Sequence, residues 1–195
     1  MKRFLILALC LCLLFPAALS ESAYPACQGA VTDLANVLSE SAALDLDILS
    51  QRYEESTGGR LYVITRHFLG GKDVRQYAAA LFESWQLSSL DALLLVVIGE
   101  ESYALQLGED AQDALPEEMI SAYFSDYFHS DFTARRYDQA ISTLMLQSGR
   151  RIASAQGESL SSAGLFGQAE AAKTPADYVL DLNAMFSTLL TPEET

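Results

Sequence analysis

Asp91-Ala-Leu-Leu-Leu-Val-Val-Ile98 is the stretch that decides the fold of this chain. Every residue after Asp91 in this run is apolar, yet the run is far shorter than the roughly 20 apolar residues that a membrane-spanning helix needs. A short, continuous apolar run is typical of a strand that is covered on both faces. We therefore place this strand at the centre of a sheet.

The residues that follow predict a second strand beside the first. Gly99-Glu-Glu-Ser102 has the composition of a turn, and Tyr103-Ala-Leu-Gln-Leu-Gly108 places its large apolar side chains at every second position. Alternation with a period of two is typical of a strand with one less buried face. The two runs are therefore predicted to pair as a hairpin.

Helical patterns alternate with strands on both sides of this hairpin. Apolar residues recur at helical spacing in four segments, which predict helices near 40–57, 74–85, 116–128 and 137–153. A short run rich in β-branched and aromatic residues predicts a strand at 60–66. Ser39 can cap the first helix and Gly58 can end it. Alternation of this kind predicts a three-layer α/β/α sandwich with a small mixed sheet, which makes residues 30–153 one domain.

The amino-terminal residues resemble a secretory signal peptide. Lys2-Arg3 precede the apolar run from Phe4 to Phe15, and Pro16-Ala-Ala-Leu-Ser20 supplies small residues for cleavage. This order predicts that residues 1–20 are removed and that the protein is secreted or extracytoplasmic; a retained membrane anchor is the alternative. Residues 21–29 are predicted to be an unstructured lead-in.

The carboxyl-terminal residues predict a linker and one more helix. Residues 154–173 are rich in Ser, Gly, Ala and Gln, which is typical of a flexible linker. Residues 174–191 place apolar side chains on one helical stripe, interrupted by Asp177 and Asp181, so this amphipathic helix cannot span a bilayer. It is expected to pack on its own domain or, alternatively, on a partner.

Charge and cysteine content exclude several classes of function. The formal net charge is −14, and removal of Lys2 and Arg3 would make it −16, which argues against a nucleic-acid partner. Only Cys27 would remain in the mature chain, so no intramolecular disulfide is expected. His67 and His129 lack the spacing of a zinc site, and no nucleotide-binding loop or nucleophile motif occurs.

Four acidic residues form the candidate site. Asp91 enters the central strand, Glu109 and Asp110 follow the second strand of the hairpin, and Asp33 lies in a short apolar segment that ends before Ser39. Loops at strand ends gather ligands in α/β sheets, and converging carboxylates suit calcium, so these four are the predicted metal ligands. The alternative is that they are ordinary solvated loop acids.

The same landmarks resemble the TPM domain family. Val31-Thr-Asp33, the Tyr77, Phe82 and Trp85 helix, Asp91-Ala-Leu-Leu-Leu and the turn at Gly108 occur in the family's order over about residues 30–153. The family includes thylakoid-lumen proteins of photosystem II repair and many exported bacterial proteins. The resemblance implies an extracytoplasmic α/β/α sandwich; some members are described as acid phosphatases, whereas others bind calcium or show no enzymatic activity.

Two departures from the family pattern concern the candidate site. Asp91-Ala92 stands where the family typically has Asn-Gly, and Gly108-Glu-Asp-Ala-Gln112 stands where it has Gly-x-Gly-x-Glu. The second glycine, which would allow close approach of a ligand to the backbone, and the glutamate, which would supply charge, are therefore both replaced.

Two functions follow from these patterns. The leading hypothesis is a non-enzymatic interaction or accessory module of an envelope or membrane complex, with an optional calcium site. The alternative is a metal-dependent phosphatase that acts on phosphomonoesters through metal-bound water. An aromatic cluster is either core or a binding surface: Tyr123, Phe124, Tyr127, Phe128 and Phe132.

Overall fold

Four strands form a single mixed sheet in the computed structural model, which describes residues 24–167. They lie in the order β1 (Val31–Asp33), β2 (Leu61–Arg66), β3 (Ala92–Val97) and β4 (Ser102–Leu107). β1, β2 and β3 are parallel, and β4 is antiparallel to β3. The predicted hairpin and the small mixed sheet are both confirmed.

Helices cover both faces of the sheet. In chain order they are α1 (Glu40–Thr57), α2 (Val74–Ser84), α3 (Glu109–Ala114), α4 (Glu117–Tyr127), α5 (His129–Thr133) and α6 (Tyr137–Ala155), with a 3₁₀ turn at Ile98–Glu100. α2 packs on one face, whereas α1 and α3 to α6 contribute to the core on the other. The predicted α/β/α sandwich is therefore confirmed.

The centre of the molecule is β3, as its sequence indicates. All six of its residues are fully buried. Ala92, Leu94 and Val96 belong to the core beneath α1 and α6, and the alternate residues Leu93, Leu95 and Val97 belong to the core beneath α2. A strand that supplies apolar side chains to two cores has no face left for polar residues, which explains the unbroken apolar run.

The boundaries of α1 agree with the capping residues. The Ser39 hydroxyl accepts the Ala42 N–H at 3.2 Å, and Gly58, at φ +80°, donates its N–H to Glu54 O at 2.8 Å. This left-handed conformation at a helix end favours glycine because it has no Cβ. One detail differs from the prediction: Leu44 is 60% exposed, although its position suggested the buried stripe.

Two helices differ from the sequence-based expectation. The acidic stretch after Gly108 forms α3, because its first-turn carboxylates face the positive end of the helix and Ala111 and Ala114 are buried. The helix predicted over 116–128 ends at Tyr127. Phe128 leaves helical geometry, at φ −131° and ψ −52°, and α5 then starts at His129.

Both segments that flank the domain pack more tightly than their composition indicates. In the predicted lead-in, the Tyr24 ring meets Tyr77 edge-on, and Pro25 O accepts the Trp85 indole N–H at 2.8 Å. In the predicted linker, Leu160 and Leu165 are buried in the main core. Two leucines within a polar, small-residue background suffice to attach this segment to the domain.

Several predictions concern residues outside the described range. The signal peptide at 1–20, the end of the linker and the helix at 174–191 all lie there. Within residues 24–167, no helix is both long and apolar enough to cross a membrane.

Tyr53 links α1 to the loop before β3 and gives the fold a pH dependence. Its hydroxyl donates to Leu90 O at 2.9 Å, and burial raises the pKa of Tyr53 to about 12. Since the pKa rises on folding, the neutral phenol contributes stability that is complete below pH 10 and is lost as the pH rises towards 12.

We expect Tyr53→Phe to cost about 1 kcal/mol at pH 7 through the lost hydrogen bond. Between pH 9 and pH 12, the wild type should lose about 1 to 2 kcal/mol more stability than the variant. Urea unfolding across this range measures both effects. Parallel alkaline losses in the two proteins would contradict the assignment to Tyr53.

Candidate functional site

The two ends of the sheet decide which predicted ligands can meet. The amino end carries the starts of β1 to β3 and the finish of β4, and the carboxyl end carries the opposite termini. Asp91 precedes β3, and Glu109 and Asp110 follow β4, so these three lie at the amino end. Asp33 is the last residue of β1 and lies at the carboxyl end. The structure therefore does not bring Asp33 together with the other three acids.

Asp91 is a buried carboxylate, only 6% exposed, and the chain itself occupies both of its oxygens. Oδ1 accepts the Arg60 N–H and Oδ2 accepts the Ser88 N–H, each at 2.6 Å. These bonds tie the residue before β2 to the loop before β3. Burial and then the charge of Asp91 raise the pKa of nearby Tyr62.

Asp33 is also engaged by backbone groups. Its Oδ2 accepts the Leu38 N–H at 2.9 Å, and its Oδ1 accepts the Val37 N–H at 3.3 Å and the Thr65 hydroxyl. The Thr65 oxygen in turn accepts the Ala35 N–H at 3.1 Å. Asp33 therefore shapes the loop between β1 and α1.

The remaining acids, Glu109 and Asp110, are exposed on the first turn of α3, where the Asp110 carboxylate accepts the Ser89 hydroxyl. No group of three or more His, Cys, Asp and Glu is placed to hold a metal ion anywhere in residues 24–167. Since Asp33 lies at the other end of the sheet, the four predicted ligands do not share one ion site. Calcium binding itself stays a prediction.

A different set of functional groups lines a cleft of about 380 Å³ at the carboxyl end. The Tyr103 hydroxyl lies 3.3 Å from Nδ1 of His129, and Arg135 adds a cationic side chain that suits an anion, while the Glu101 carboxylate adds a negative charge to the same lining. Within the described chain, Arg135 forms no ion pair, whereas its neighbour Arg136 binds Asp131 at 2.6 Å. The other lining residues are Ile98, Gly99, Glu101, Phe132, Thr133 and Tyr137.

Arg135 holds an unusual backbone conformation at the end of α5. Its φ is +60°, in the left-handed region, and its N–H donates to Phe132 O at 2.9 Å. A side chain costs roughly 1–2 kcal/mol in this conformation, which glycine adopts readily. An arginine at such a position is consistent with use of its guanidinium in the cleft.

Sequence reasoning missed this cleft. It assigned no role to Arg135 and considered His129 only as a zinc ligand, which the spacing of the two histidines excluded. Tyr103 lies on a strand and His129 on a helix 26 residues later, so no local pattern joins them. The left-handed backbone of Arg135 is visible only in the structure.

A second depression, of about 530 Å³, runs along the outer edge of β4. We call it the β4 groove. Its lining residues come from β4, α2 and α4: Tyr103, Ala104, Leu105, Gln106, Arg75, Glu117, Ile120, Ser121 and Phe124. Arg75 on α2 and Glu117 on α4 form an ion pair at 2.8 Å. The pair connects the helices that flank the groove on the two faces of the sheet.

The aromatic cluster adjoins both depressions and is largely core. The Tyr103 ring packs on Phe124 and Phe128, each with centroids 4.6 Å apart, and on Phe132 at 5.4 Å. Phe128 and Phe132 are buried, and Tyr123 and Tyr127 are only half-buried. The inner rings therefore fix the position of Tyr103, from which its hydroxyl reaches His129.

A four-stranded mixed sheet between helical layers, with loops and depressions at its margins, defines an α/β/α sandwich domain. The chain belongs to the TPM domain family, whose model matches residues 31–151. The family assignment predicted from the sequence is thereby confirmed. No curated protein matches the chain.

Solved structures support the fold. The N-terminal domain of a P. gingivalis protein is 18% identical with a TM-score of 0.62, covering 66% of this chain and 85% of its own. The N-terminal domain of the cg2496 protein of Corynebacterium glutamicum is 15% identical with a TM-score of 0.50, covering 75% and 89%. At these identities the likeness concerns the fold alone.

Proposed function

We propose that this chain is an exported, non-enzymatic accessory module that binds a protein partner at the β4 groove. The observation that carries the proposal is the groove itself, which lies beside a strand with no further neighbour in the described sheet. Apolar Ile120 and Phe124 line it together with the backbone of β4 and the Arg75–Glu117 pair. A mixture of aromatic, apolar and polar groups is typical of protein-binding surfaces.

The bonds of the predicted metal ligands also support a non-enzymatic function. The carboxylate oxygens of Asp33 and Asp91 accept hydrogen bonds from backbone N–H groups, so these side chains stabilise the fold. A carboxylate that leaves such bonds to take part in chemistry would give up these partly buried hydrogen bonds, at a cost of about 1 kcal/mol each.

Export and the kind of partner rest on the sequence. The basic, apolar and small-residue order of residues 1–20 supports export. The acidic composition supports a partner other than nucleic acid. We propose an envelope or membrane complex as the setting.

A second candidate, phosphomonoester hydrolysis, is favoured by the carboxyl-end cleft. Arg135 would bind the anionic phosphoryl group, and His129, beside the Tyr103 hydroxyl, would transfer a proton. This arrangement differs from the metal-dependent phosphatase predicted from the sequence, because it places the chemistry at the opposite end of the sheet from Asp91.

The two candidates differ in a direct assay. We expect the purified protein to release no p-nitrophenol from p-nitrophenyl phosphate above the buffer rate between pH 5 and pH 8, with either CaCl₂ or EDTA present. Thermal melts in the same buffers test the calcium expectation. A calcium-dependent rise in Tm that Asp110→Asn abolishes would support a site at the amino end.

Matched histidine variants make the assay specific. Turnover that persists in His67→Ala but disappears in His129→Ala would overturn the accessory proposal in favour of the cleft phosphatase. Turnover that is equal in both variants would exclude the cleft as its source. Activity is therefore attributed to the cleft only if it depends on His129.

A further inference from the structure

We propose that the β4 groove binds an extended peptide segment of the partner protein as a fifth strand beside β4. This inference rests on the proposed function and names the chemistry of the partner. β4 pairs only with β3 in the described sheet, so its outer edge has no strand neighbour. Addition of a peptide strand to such an edge is a recurring mode of recognition.

The hydrogen-bonding phase of β4 determines which backbone groups face the groove. Gly108 N donates to Asp91 O at 2.9 Å, and this pair continues the β3–β4 register one step beyond the opposed residues Ala92 and Leu107. Residues opposite each other alternate between bonded and non-bonded pairs in an antiparallel ladder. The N–H and C=O groups of Tyr103, Leu105 and Leu107 therefore point outward.

One outward group already has a partner. The Gln106 side-chain amide donates to Leu107 O at 3.0 Å and covers that end of the edge. The N–H and C=O groups of Tyr103 and Leu105 are left facing the groove. They form two donor–acceptor pairs spaced two residues apart, which is the pattern that another strand completes.

The shape of the groove favours a free peptide over a second copy of this chain. β4 is recessed: Ala104 and Leu105 are only 7% and 8% exposed, while the Arg75–Glu117 pair joins the flanking helices beside them. A second copy would present a strand that is equally recessed between its own helices. A single extended chain has no such walls and can reach the edge.

The walls of the groove define the side chains that the peptide should carry. Successive side chains of an added strand point to opposite faces of the sheet. On one face they meet Ile120 and Phe124 of α4, which suit an apolar side chain. On the other they approach Arg75 of α2, which suits a polar or acidic one. The expected ligand is therefore an extended segment of alternating apolar and polar residues.

The ion pair across the groove does not prevent binding. The side chains of Arg75 and Glu117 are 73% and 58% exposed, and ion pairs as exposed as this contribute little to stability. An incoming peptide can therefore separate them at low cost. Charged residues near a free strand edge also discourage indiscriminate pairing with other sheets.

The test uses a blocked hexapeptide of alternating Val and Thr with one terminal Glu for solubility. We expect saturating peptide to slow hydrogen–deuterium exchange at the Tyr103 and Leu105 amides by about tenfold, measured by NMR on the whole mature protein. Two N-methylated peptides serve as chemical controls. Methylation of the amides that face β4 should abolish protection, and methylation of the opposite amides should preserve it.

Two exposed positions on α4 provide matched variants. Ser121 lines the groove and Ala122 does not. Ser121→Trp should fill the groove and weaken peptide binding at least about tenfold, and Ala122→Trp should leave it unchanged. Equal binding by the two variants, or equal binding by the two methylated peptides, would overturn the strand-addition inference.

The outcomes separate this inference from the broader proposal. If the peptide does not slow exchange at the Tyr103 and Leu105 amides and no phosphatase turnover is seen, the peptide inference is overturned but the accessory-module proposal is not. Turnover that depends on His129 would overturn the accessory module, whatever the peptide does. A dimer that forms through β4 and is abolished by Ser121→Trp would overturn the choice of a peptide over a second copy.

Discussion

Asp91→Ala should lower the free energy of unfolding by about 3 kcal/mol, because it removes a buried carboxylate that accepts two backbone N–H groups. The carboxylate accepts from Arg60 and Ser88 at 2.6 Å and is 6% exposed. Hydrogen bonds to a charged acceptor contribute about 1.5–3 kcal/mol each, and part of that is recovered because Arg60 and Ser88 lie at the surface, where water can reach their N–H groups. Urea unfolding at pH 7 in EDTA measures the loss.

Glu109→Ala is the matched control for this prediction. Glu109 is an exposed acid at the same end of the sheet and was assigned to the same predicted metal site. Its replacement should change stability by less than about 0.5 kcal/mol. If Asp91 were instead a ligand with no structural task, Asp91→Ala would be as mild as Glu109→Ala in EDTA. Asp91→Asn, which keeps one acceptor oxygen, should fall between the two.

The fold could be predicted because its decisive signals are local. The apolar run of β3 and the alternation of β4 report burial directly, and Ser39 and Gly58 mark the ends of α1 through their own backbone chemistry. Signals that depend on distant partners were lost. Leu160 and Leu165 looked like linker residues because nothing nearby in sequence shows the core they join.

The candidate site was harder to predict for the same physical reason. A sequence shows that Asp33 and Asp91 each adjoin a strand, but strand direction decides whether they meet. The parallel pairing of β1, β2 and β3 places them at opposite ends of the sheet. Their hydrogen bonds to backbone N–H groups are likewise formed with residues that sequence reasoning had no cause to consider.

Gly108 shows how a family motif can be read differently once its surroundings are known. In the sequence, Gly108 is the first glycine of the family's Gly-x-Gly-x-Glu pattern, and close approach of a ligand was connected only with the second glycine, which Asp110 replaces. In the structure, a Cβ at Gly108 would lie 2.4 Å from Ser88 O and 2.5 Å from Ser89 O. The space that glycine leaves is therefore filled by the loop of this same chain.

Gly108→Ala should consequently destabilise the protein by about 3 kcal/mol, towards the upper end of overpacking effects. Gly108 has φ −71° and ψ 168°, which any residue adopts, so the whole effect is steric. Relief would require the Ser88–Ser89 backbone to move, and with it the Ser88 N–H that Asp91 holds and the bond from Gly108 N to Asp91 O. Urea unfolding measures the change.

Gly58→Ala is the informative comparison, because Gly58 has φ +80° and nothing lies within 4 Å of its added Cβ. Its cost should be the conformational one alone, roughly 1–2 kcal/mol. The Gly108→Ala loss should also shrink when Asp91→Ala is already present, since both changes loosen the same loop. If the two losses instead added fully, or if Gly108→Ala were no worse than Gly58→Ala, the close packing of the loop on Gly108 would be refuted.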